Sequence, residues 1–383
     1  MATTTMATTQ RAARYYGKED IRIENNVPIT PCEPHQVRIA PAFVGICGTD
    51  LHEFLGGPNF SPVHPHPITH ETVPITMGHE FSGTITEFGD AISRDGKKGT
   101  GKFEGLEVGM KVAVQPSIYC GECPACRSGA ENVCPNGGFY GLSGGGGGMS
   151  ESVCVPADAV FPLPEHVGLD IGALVEPISV AWHGFRMSPL YNHPDPSQTW
   201  AAILGGGPIG LAMILVLMAH DVKNIIVSEV SGIRQKFAKD FGAHHVIDPR
   251  TYDLVGISKE LSGGVGVDVA FDCAGFQSTL TAACNSIRPR GTVVNLAIWE
   301  RGVDFNPNML VFKEGIYRAV LGYQKQDFQE VVAALEDGSL DLGRVKKMIT
   351  KVVNLDGLVE GGIKGLVGGD REKMVKVLVN VKE

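Results

Sequence analysis

Between Tyr15 and Pro164 apolar and polar residues alternate over short runs broken by Gly and Pro: DIRIEN, HQVRIAPAFV, FSGTITEFG, MKVAVQP and ESVCVPADAV. A period of two sends one side chain into a core and the next to solvent, so these runs predict the strands of a small β-barrel-like domain. The grammar changes near Val180. From there to Tyr323 the apolar runs AAIL, NIIVS, HHVI, VDVAFD, GTVVNLA and YRAVLG are separated by helical stretches. Six strands with intervening helices predict a doubly wound parallel sheet, and the fold class is α/β. Farther on, FQEVVAALEDG predicts a helix ending at Gly338, and KMVKVLVNV predicts a last strand that rejoins the first domain. The expected division is 1–179, 180–323, and a C-terminal return over 324–383.

Composition narrows the class. The 383 residues are 43% hydrophobic and 20% charged, ordinary for a soluble globular chain. The longest apolar run, Ile203 to Ala219, is interrupted by glycines and Pro208, so it predicts no membrane span. A net charge of −9 argues against nucleic acid or an anionic membrane as partner. Nine cysteines without a secretory signal point to a reducing, cytoplasmic setting. The opening MATTTMATTQRAAR has some features of a mitochondrial presequence but no amphipathic stripe. It is expected to be a frayed terminus, with order beginning by Tyr15.

Three constellations carry chemistry. Cys120, Cys123, Cys126 and Cys134 are spaced for one loop to wrap a tetrahedral Zn²⁺ with four thiolates. Such a closed site leaves no position for substrate and holds a loop in shape. A disulfide-stapled loop is the alternative, disfavoured by the tight spacing. The second is the glycine run after the strand that ends at Leu204. Gly205, Gly207 and Gly210 suit a tight turn, close approach of a pyrophosphate and helix-on-strand packing, while Pro208 and Ile209 open the helix. Glu229 ends the next strand, where a carboxylate accepts ribose hydroxyls and repels a 2′-phosphate, so NAD is expected over NADP. Arg234 is close enough in sequence to reach the same ribose. The run Gly144 to Gly148 precedes a β pattern and is expected to be a flexible turn.

The third constellation is spread over GICGTDLHEF, GHEFSG and ALVEPISVAWHGF. Cys47, His79 and Glu176 would give Zn²⁺ three ligands and the open fourth position that catalysis needs. His64, His66 and His70 lie on a proline-broken loop, expected to be a surface lobe rather than a further metal site. Trp182 and His183 are expected to pack.

With the cysteine spacing, GHE, GICGTDLHEF and GGGPIG in this order, the chain resembles the zinc-dependent medium-chain dehydrogenases from about Tyr15 to Val381. LVEPISVAWHGF, IVSEV and NLAIWE resemble the polyol and butanediol branch, the fungal (R,R)-2,3-butanediol dehydrogenases most of all. The resemblance implies a GroES-like β-barrel catalytic domain and a Rossmann domain. It implies two Zn²⁺ per chain, one catalytic and one structural, with NAD as the hydride acceptor. By position, Cys47, His79 and Glu176 match the catalytic-zinc segments, and Glu80 matches an acid that ligates zinc or sits behind it. Thr49 and His52 match the proton relay, and Lys376 a basic residue near the pyrophosphate. The implied reaction is reversible oxidation of a secondary alcohol, (R,R)- or meso-2,3-butanediol to acetoin. A polyol dehydrogenase and a non-catalytic NAD-binding protein are the alternatives, and a homodimer or homotetramer is implied by fold analogy.

Overall fold

The computed structural model describes residues 8–299, 301–369 and 371–383. The chain divides into two units, the first running to Glu176 and resuming over Ile349–Glu383, the second spanning Pro177–Met348. The first unit contains β1 (Thr9–Gly17), β2 (Asp20–Pro28), β3 (Gln36–Gly45), helix α1 (Gly48–Gly56), β4 (Ile75–Thr76), β5 (Glu80–Phe88) and β6 (Lys111–Val114). It continues with β7 (Val153–Pro156) and β8 (Val160–Pro162). Thr9 to Arg14, expected to be frayed, belong to β1, which pairs antiparallel with both β2 and β4. Residues 1–7 of the segment expected to fray lie outside the described residues.

The larger sheet of this unit is closed by the C-terminus. Its order is β8-β6-β5-β3, then two late strands, β16 (Lys376–Asn380) and β15 (Ile349–Asn354), with β7 also on β3. Alternate residues turn inward, and Val37, Ile39, Val44, Phe81, Ile85, Val112, Val377 and Val379 share one core. Full burial of each such side chain stabilises the fold by roughly 1.5–3 kcal/mol.

The second unit is built on β9 (Trp200–Leu204), β10 (Asn224–Ser228), β11 (His245–Ile247), β12 (Val267–Asp272), β13 (Ile287–Asn295) and β14 (Ile316–Ala319). Their spatial order is β11-β10-β9-β12-β13-β14, and every pair is parallel. This is the doubly wound order, whose ligand crevice opens where β9 gives way to β12 at the carboxyl ends. The central strands are buried on both faces, so they read as unbroken apolar runs rather than alternations. Helix α2 (Val175–Arg186) leads into this unit, and α3 (Pro208–Ala219) follows β9. In α3 every residue from Leu211 to Leu217 is buried, which explains a helix apolar on all sides.

Two expectations are corrected here. The return to the first unit begins at Ile349 rather than at 324. The helix Lys325–Asp337 stays in the second unit, where its buried Asp327 accepts hydrogen bonds from His183 (2.8 Å) and Arg186. The Gly144–Gly148 run is a packed segment, not a flexible turn. A Cβ on Gly147 would meet Met77 O at 2.4 Å, and one on Gly148 would meet Phe81 Cβ at 2.6 Å.

Candidate metal centres and cofactor site

The four clustered cysteines converge as their spacing predicts. Cys134 Sγ stands 3.6 Å from Cys120 Sγ and 3.9 Å from Cys123 Sγ, and Cys120 Sγ stands 4.0 Å from Cys126 Sγ. Sulfurs about 2.3 Å from a tetrahedral ion are about 3.8 Å apart, so the donor set fits Zn²⁺ without rearrangement. Backbone N–H groups point at the sulfurs: Cys126 N–H donates to Cys123 Sγ at 3.4 Å, and Cys120 N–H to Cys134 Sγ at 3.5 Å. The N–H groups of Glu122 and Cys123 hold the Cys120 thiol down to about 7, which favours the ligating thiolate.

Strand register builds the second centre. Gly45 pairs with Glu80 on one side and with Leu378 on the other. Cys47 and His79 therefore lie just past the ends of β3 and β5, with Lys376 on the flanking strand. Among the described residues, Cys47, His79 and Glu80 offer donor atoms all within 4.8 Å of one another. Cys47 occupies the N-cap of α1, and its N–H donates to Asp50 Oδ2 at 2.8 Å, the return bond of a capping box. Thr49 Oγ1 lies 3.7 Å from Cys47 Sγ. His52 stands three residues on, on the same side of the helix as Thr49 and exposed.

The centre is charged and largely buried. His79 Nδ1 faces Asp50 Oδ1 at 3.6 Å, and neither atom has a hydrogen bond although both are buried. Burial by itself would push the imidazole down, but Asp50, Cys47 and Glu176 outweigh it and raise His79 to about 10. An electron-rich pocket that pulls a proton onto a buried histidine is a pocket suited to a dication. Glu176, in the first turn of α2 and buried, acts on both His79 and Lys376.

Lys376, expected from the resemblance to serve the cofactor pyrophosphate, pairs with Glu80 in this structure. It is buried, with Nζ 2.7 and 2.8 Å from the two oxygens of Glu80 and 3.4 Å from Ile46 O. Burial favours its neutral form, but Glu80 and Cys47 overcome this and keep it an ammonium. The contact passes over Gly45, where a Cβ would fall 1.9 Å from Glu80 Oε2. Sequence reasoning missed this pair, and it counted Asp50 only among the metal-capable residues of GICGTDLHEF, although Asp three residues after an N-cap is a legible capping signal. It also passed over the buried Glu53, whose Oε1 accepts the N–H groups of Asn59 (2.9 Å) and Phe60 (2.6 Å) and so ties down the segment after α1.

In the second unit the glycine turn has the expected construction. Gly205 has φ +103°, and a Cβ on Gly210 would sit 1.9 Å from Gly205 O. At Gly207, the N-cap of α3, an added Cβ would meet only Arg234 Nη1 at 3.9 Å, so this side is open. Pro208 and Ile209 start the helix, whose first N–H groups lack intrahelical partners. Glu229 is buried beneath the turn, accepting from Gly206 N–H (2.6 Å) and Ser231 N–H (2.7 Å).

Of the three histidines on the proline-broken loop, only His66 is packed into the structure. His66 is buried, accepting Ile68 N–H at 3.2 Å and lying 3.3 Å from Gly137 O, while His64 and His70 are exposed. Trp182 Nε1 donates to Glu330 at 2.6 Å. Among the described residues no helix is long and apolar enough to cross a membrane.

Comparison with known proteins agrees with this architecture. Residues 33–165 match the alcohol dehydrogenase GroES-like domain, and residues 208–337 match the zinc-binding dehydrogenase domain. The chain is 39% identical to an (R,R)-butanediol dehydrogenase of Bacillus subtilis over 96% of this chain and 99% of that one. It is 32% identical to an (R,R)-butanediol dehydrogenase of Saccharomyces cerevisiae, over 96% and 97% of the two chains. The crystal structure of 2R,3R-butanediol dehydrogenase from Bacillus subtilis superposes with a TM-score of 0.86 at 38% identity, covering 97% of this chain and 100% of that one. With a GroES-like unit holding two metal-capable clusters and a Rossmann unit carrying the glycine turn, the chain belongs to the zinc-binding alcohol dehydrogenase family.

Proposed function

We infer that this protein is a zinc- and NAD-dependent dehydrogenase that interconverts (R,R)- or meso-2,3-butanediol and acetoin. The observation that carries the reading is the cluster of half-buried Cys47 with buried His79 and Glu80, beside Thr49, on a chain 39% identical to a butanediol dehydrogenase. Cys47 and His79 would hold the catalytic metal with a carboxylate as third ligand, from Glu80 of the same cluster or from Glu176. Cys120, Cys123, Cys126 and Cys134 would hold the structural one. The glycine turn and the start of α3 would receive the cofactor pyrophosphate, and Glu229 with Arg234 beside it the adenosine ribose. A carboxylate at that place favours NAD over its 2′-phosphorylated form.

Bound zinc supplies the Lewis acid that lowers the pKa of the substrate hydroxyl, and bound NAD⁺ accepts the hydride. The residues do the rest. Thr49 takes the hydroxyl proton at Oγ1, and His52, exposed on the same helix face, delivers it to solvent. Asp50 orients His79 from behind, and the Lys376–Glu80 pair keeps a second carboxylate neutralised. Replacing His52 with Ala should slow turnover more at low pH than at high pH, where hydroxide takes the proton. A loss independent of pH refutes the relay.

The exposed edge strand β14 supports a homodimer or homotetramer. All four of its residues are exposed, with Phe312 and Leu321 exposed nearby. Light scattering tests this. Nine cysteines outside any disulfide support a cytoplasmic setting. The activity test is a steady-state assay with NAD⁺ on (R,R)-, (S,S)- and meso-2,3-butanediol, sorbitol and xylitol, before and after chelation. Chelator-sensitive turnover of the diols with an R centre supports the reading. Preference for sorbitol or xylitol moves the substrate, and no turnover on any of them refutes the enzyme.

A further inference from the structure

The run VDVAFD ends on a charged residue, Asp272, although β12 is a central strand of the parallel sheet. Asp272 is 0% exposed. A carboxylate taken out of water at such a place is costly unless donors meet both its oxygens. Here they do. Oδ1 accepts the N–H groups of Ala274 and Gly275, each at 3.0 Å, and Oδ2 accepts the Thr279 hydroxyl at 3.0 Å. Thr279 Oγ1 in turn accepts Phe276 N–H at 3.0 Å, capping the helix Gln277–Ser286. Burial pushes the Asp272 carboxyl up, and the donors from Gly275, Ala274 and Thr279 pull against it. One side chain therefore ties down the whole turn 273–276.

That turn stands at the mouth of the ligand crevice. In register, Asp272 lies beside Leu204, the last residue of β9, and beside Asn295, the last residue of β13. All three mark carboxyl ends of strands at the switch point, where open α/β sheets bind their ligands. Cys273 N–H donates to Leu204 O at 3.0 Å, and a Cβ on Gly205 would lie 3.0 Å from Ala274 Cβ, so the turn packs against the glycine turn. On the other side, the main-chain oxygen of Asp272 accepts Leu296 N–H at 2.9 Å and Ala297 N–H at 3.2 Å. Gly275 has φ +72°, and a Cβ on it would lie 2.9 Å from Ala297 Cβ. The turns that follow β9, β12 and β13 are thus joined at Asp272.

We propose that Asp272 is a positioning residue for the nicotinamide dinucleotide, its side chain presetting the turn 273–276 as the crevice wall that faces the glycine turn. This role rests on the cofactor reading of the glycine turn. Buried beneath its own turn, Asp272 acts through the backbone of Ala274 and Gly275 rather than by touching the cofactor. The turn loses its conformational freedom in folding, so less remains to be lost when the dinucleotide binds. Asp268, near the other end of β12, provides the contrast. It accepts Trp200 N–H and Arg288 Nε–H, each at 2.7 Å, at the amino ends of the strands and far from the crevice.

The test is a fluorescence titration of NADH into the full-length, zinc-loaded protein, with Tm and zinc content measured for every variant. In Asp272→Ala the NADH Kd should rise at least ~10-fold, about the worth of ordering one residue's backbone on binding. Asp272→Asn should bind close to the unmodified protein, because its amide oxygen still accepts both N–H groups and its amide nitrogen donates to Thr279 Oγ1. Asp268→Ala should lower Tm and leave the NADH Kd unchanged. If Asp272→Ala does not fold, Thr279→Val carries the test by freeing Phe276 N–H and one carboxylate oxygen, and an unchanged Kd there overturns the proposal. An unchanged Kd in a folded Asp272→Ala overturns it too. So does an equal loss of affinity in Asp268→Ala, or an Asp272→Asn that binds no better than Asp272→Ala; each of these leaves the cofactor reading standing. An unmodified protein that binds no NADH overturns that reading and the proposal with it.

Discussion

Lys376→Met isolates the buried ion pair beneath the candidate catalytic centre. Lys376 and Glu80 are 3% and 1% exposed, and the ammonium contacts both carboxylate oxygens at 2.7 and 2.8 Å. Methionine fills nearly the same volume but leaves a buried carboxylate without its counter-ion. Removing one partner of a buried pair costs about 3–5 kcal/mol, far more than the net worth of the intact pair. For a unit of ~200 residues, each kcal/mol moves Tm by about 2–4 °C, so the first unit should melt on the order of 10 °C lower. Glu80→Gln should cost a similar amount by stranding the ammonium. The double variant removes both charges and should recover at least about 2 kcal/mol relative to the sum of the two single losses. The assay is calorimetry of all four proteins, zinc-loaded and chelator-treated. Zinc loading should shrink the Lys376→Met loss, since a dication near Glu80 replaces the missing ammonium. A Tm unchanged by Lys376→Met, or strictly additive losses in the double variant, refutes the reasoning.

Other substitutions test the remaining parts. Gly210→Ala places a methyl 1.9 Å from Gly205 O; NADH binding, followed by fluorescence, should fall at least ~100-fold for a distortion costing about 3 kcal/mol, with zinc content unchanged. Cys126→Ser should reduce zinc from two ions per chain to one by elemental analysis and lower Tm, with the remaining ion lost on Cys47→Ser. For Asp327, burial alone would raise the carboxyl, but His183 and Arg186 overcome it and hold it below its ordinary value. A depressed carboxyl contributes stability that is complete above its unfolded pKa near ~3.9 and is lost as pH falls through the folded value. Asp327→Asn should therefore lower Tm at pH 7 and flatten the decline of Tm below about pH 4; an unchanged acid slope refutes the pairing.

Local patterns in the sequence carried much of this protein. The six strands of the parallel sheet were legible because each is a short apolar run between breakers, and AAIL and NIIVS fall inside β9 and β10. The cysteine cluster and the glycine turn were legible because metal geometry and a helix N-terminus impose spacing within one short segment, and both segments have the expected geometry. Other features depended on register between distant strands. Lys376 reaches Glu80 only because β16 and β5 flank β3 at Gly45, and no periodicity in KMVKVLVNV encodes that pairing. The helix Lys325–Asp337 stays in the second unit through Asp327, a polar residue whose burial depends on His183 and Arg186 far back in the chain. The glycine run at 144–148 looked mobile because glycine is permissive, yet the backbones of Met77 and Gly78 pack against it. Sequence determined the elements and the ligand types, since those follow from propensity and local spacing. Tertiary structure decided which buried charges meet, because that energy depends on partners distant in the chain and on the water their meeting excludes.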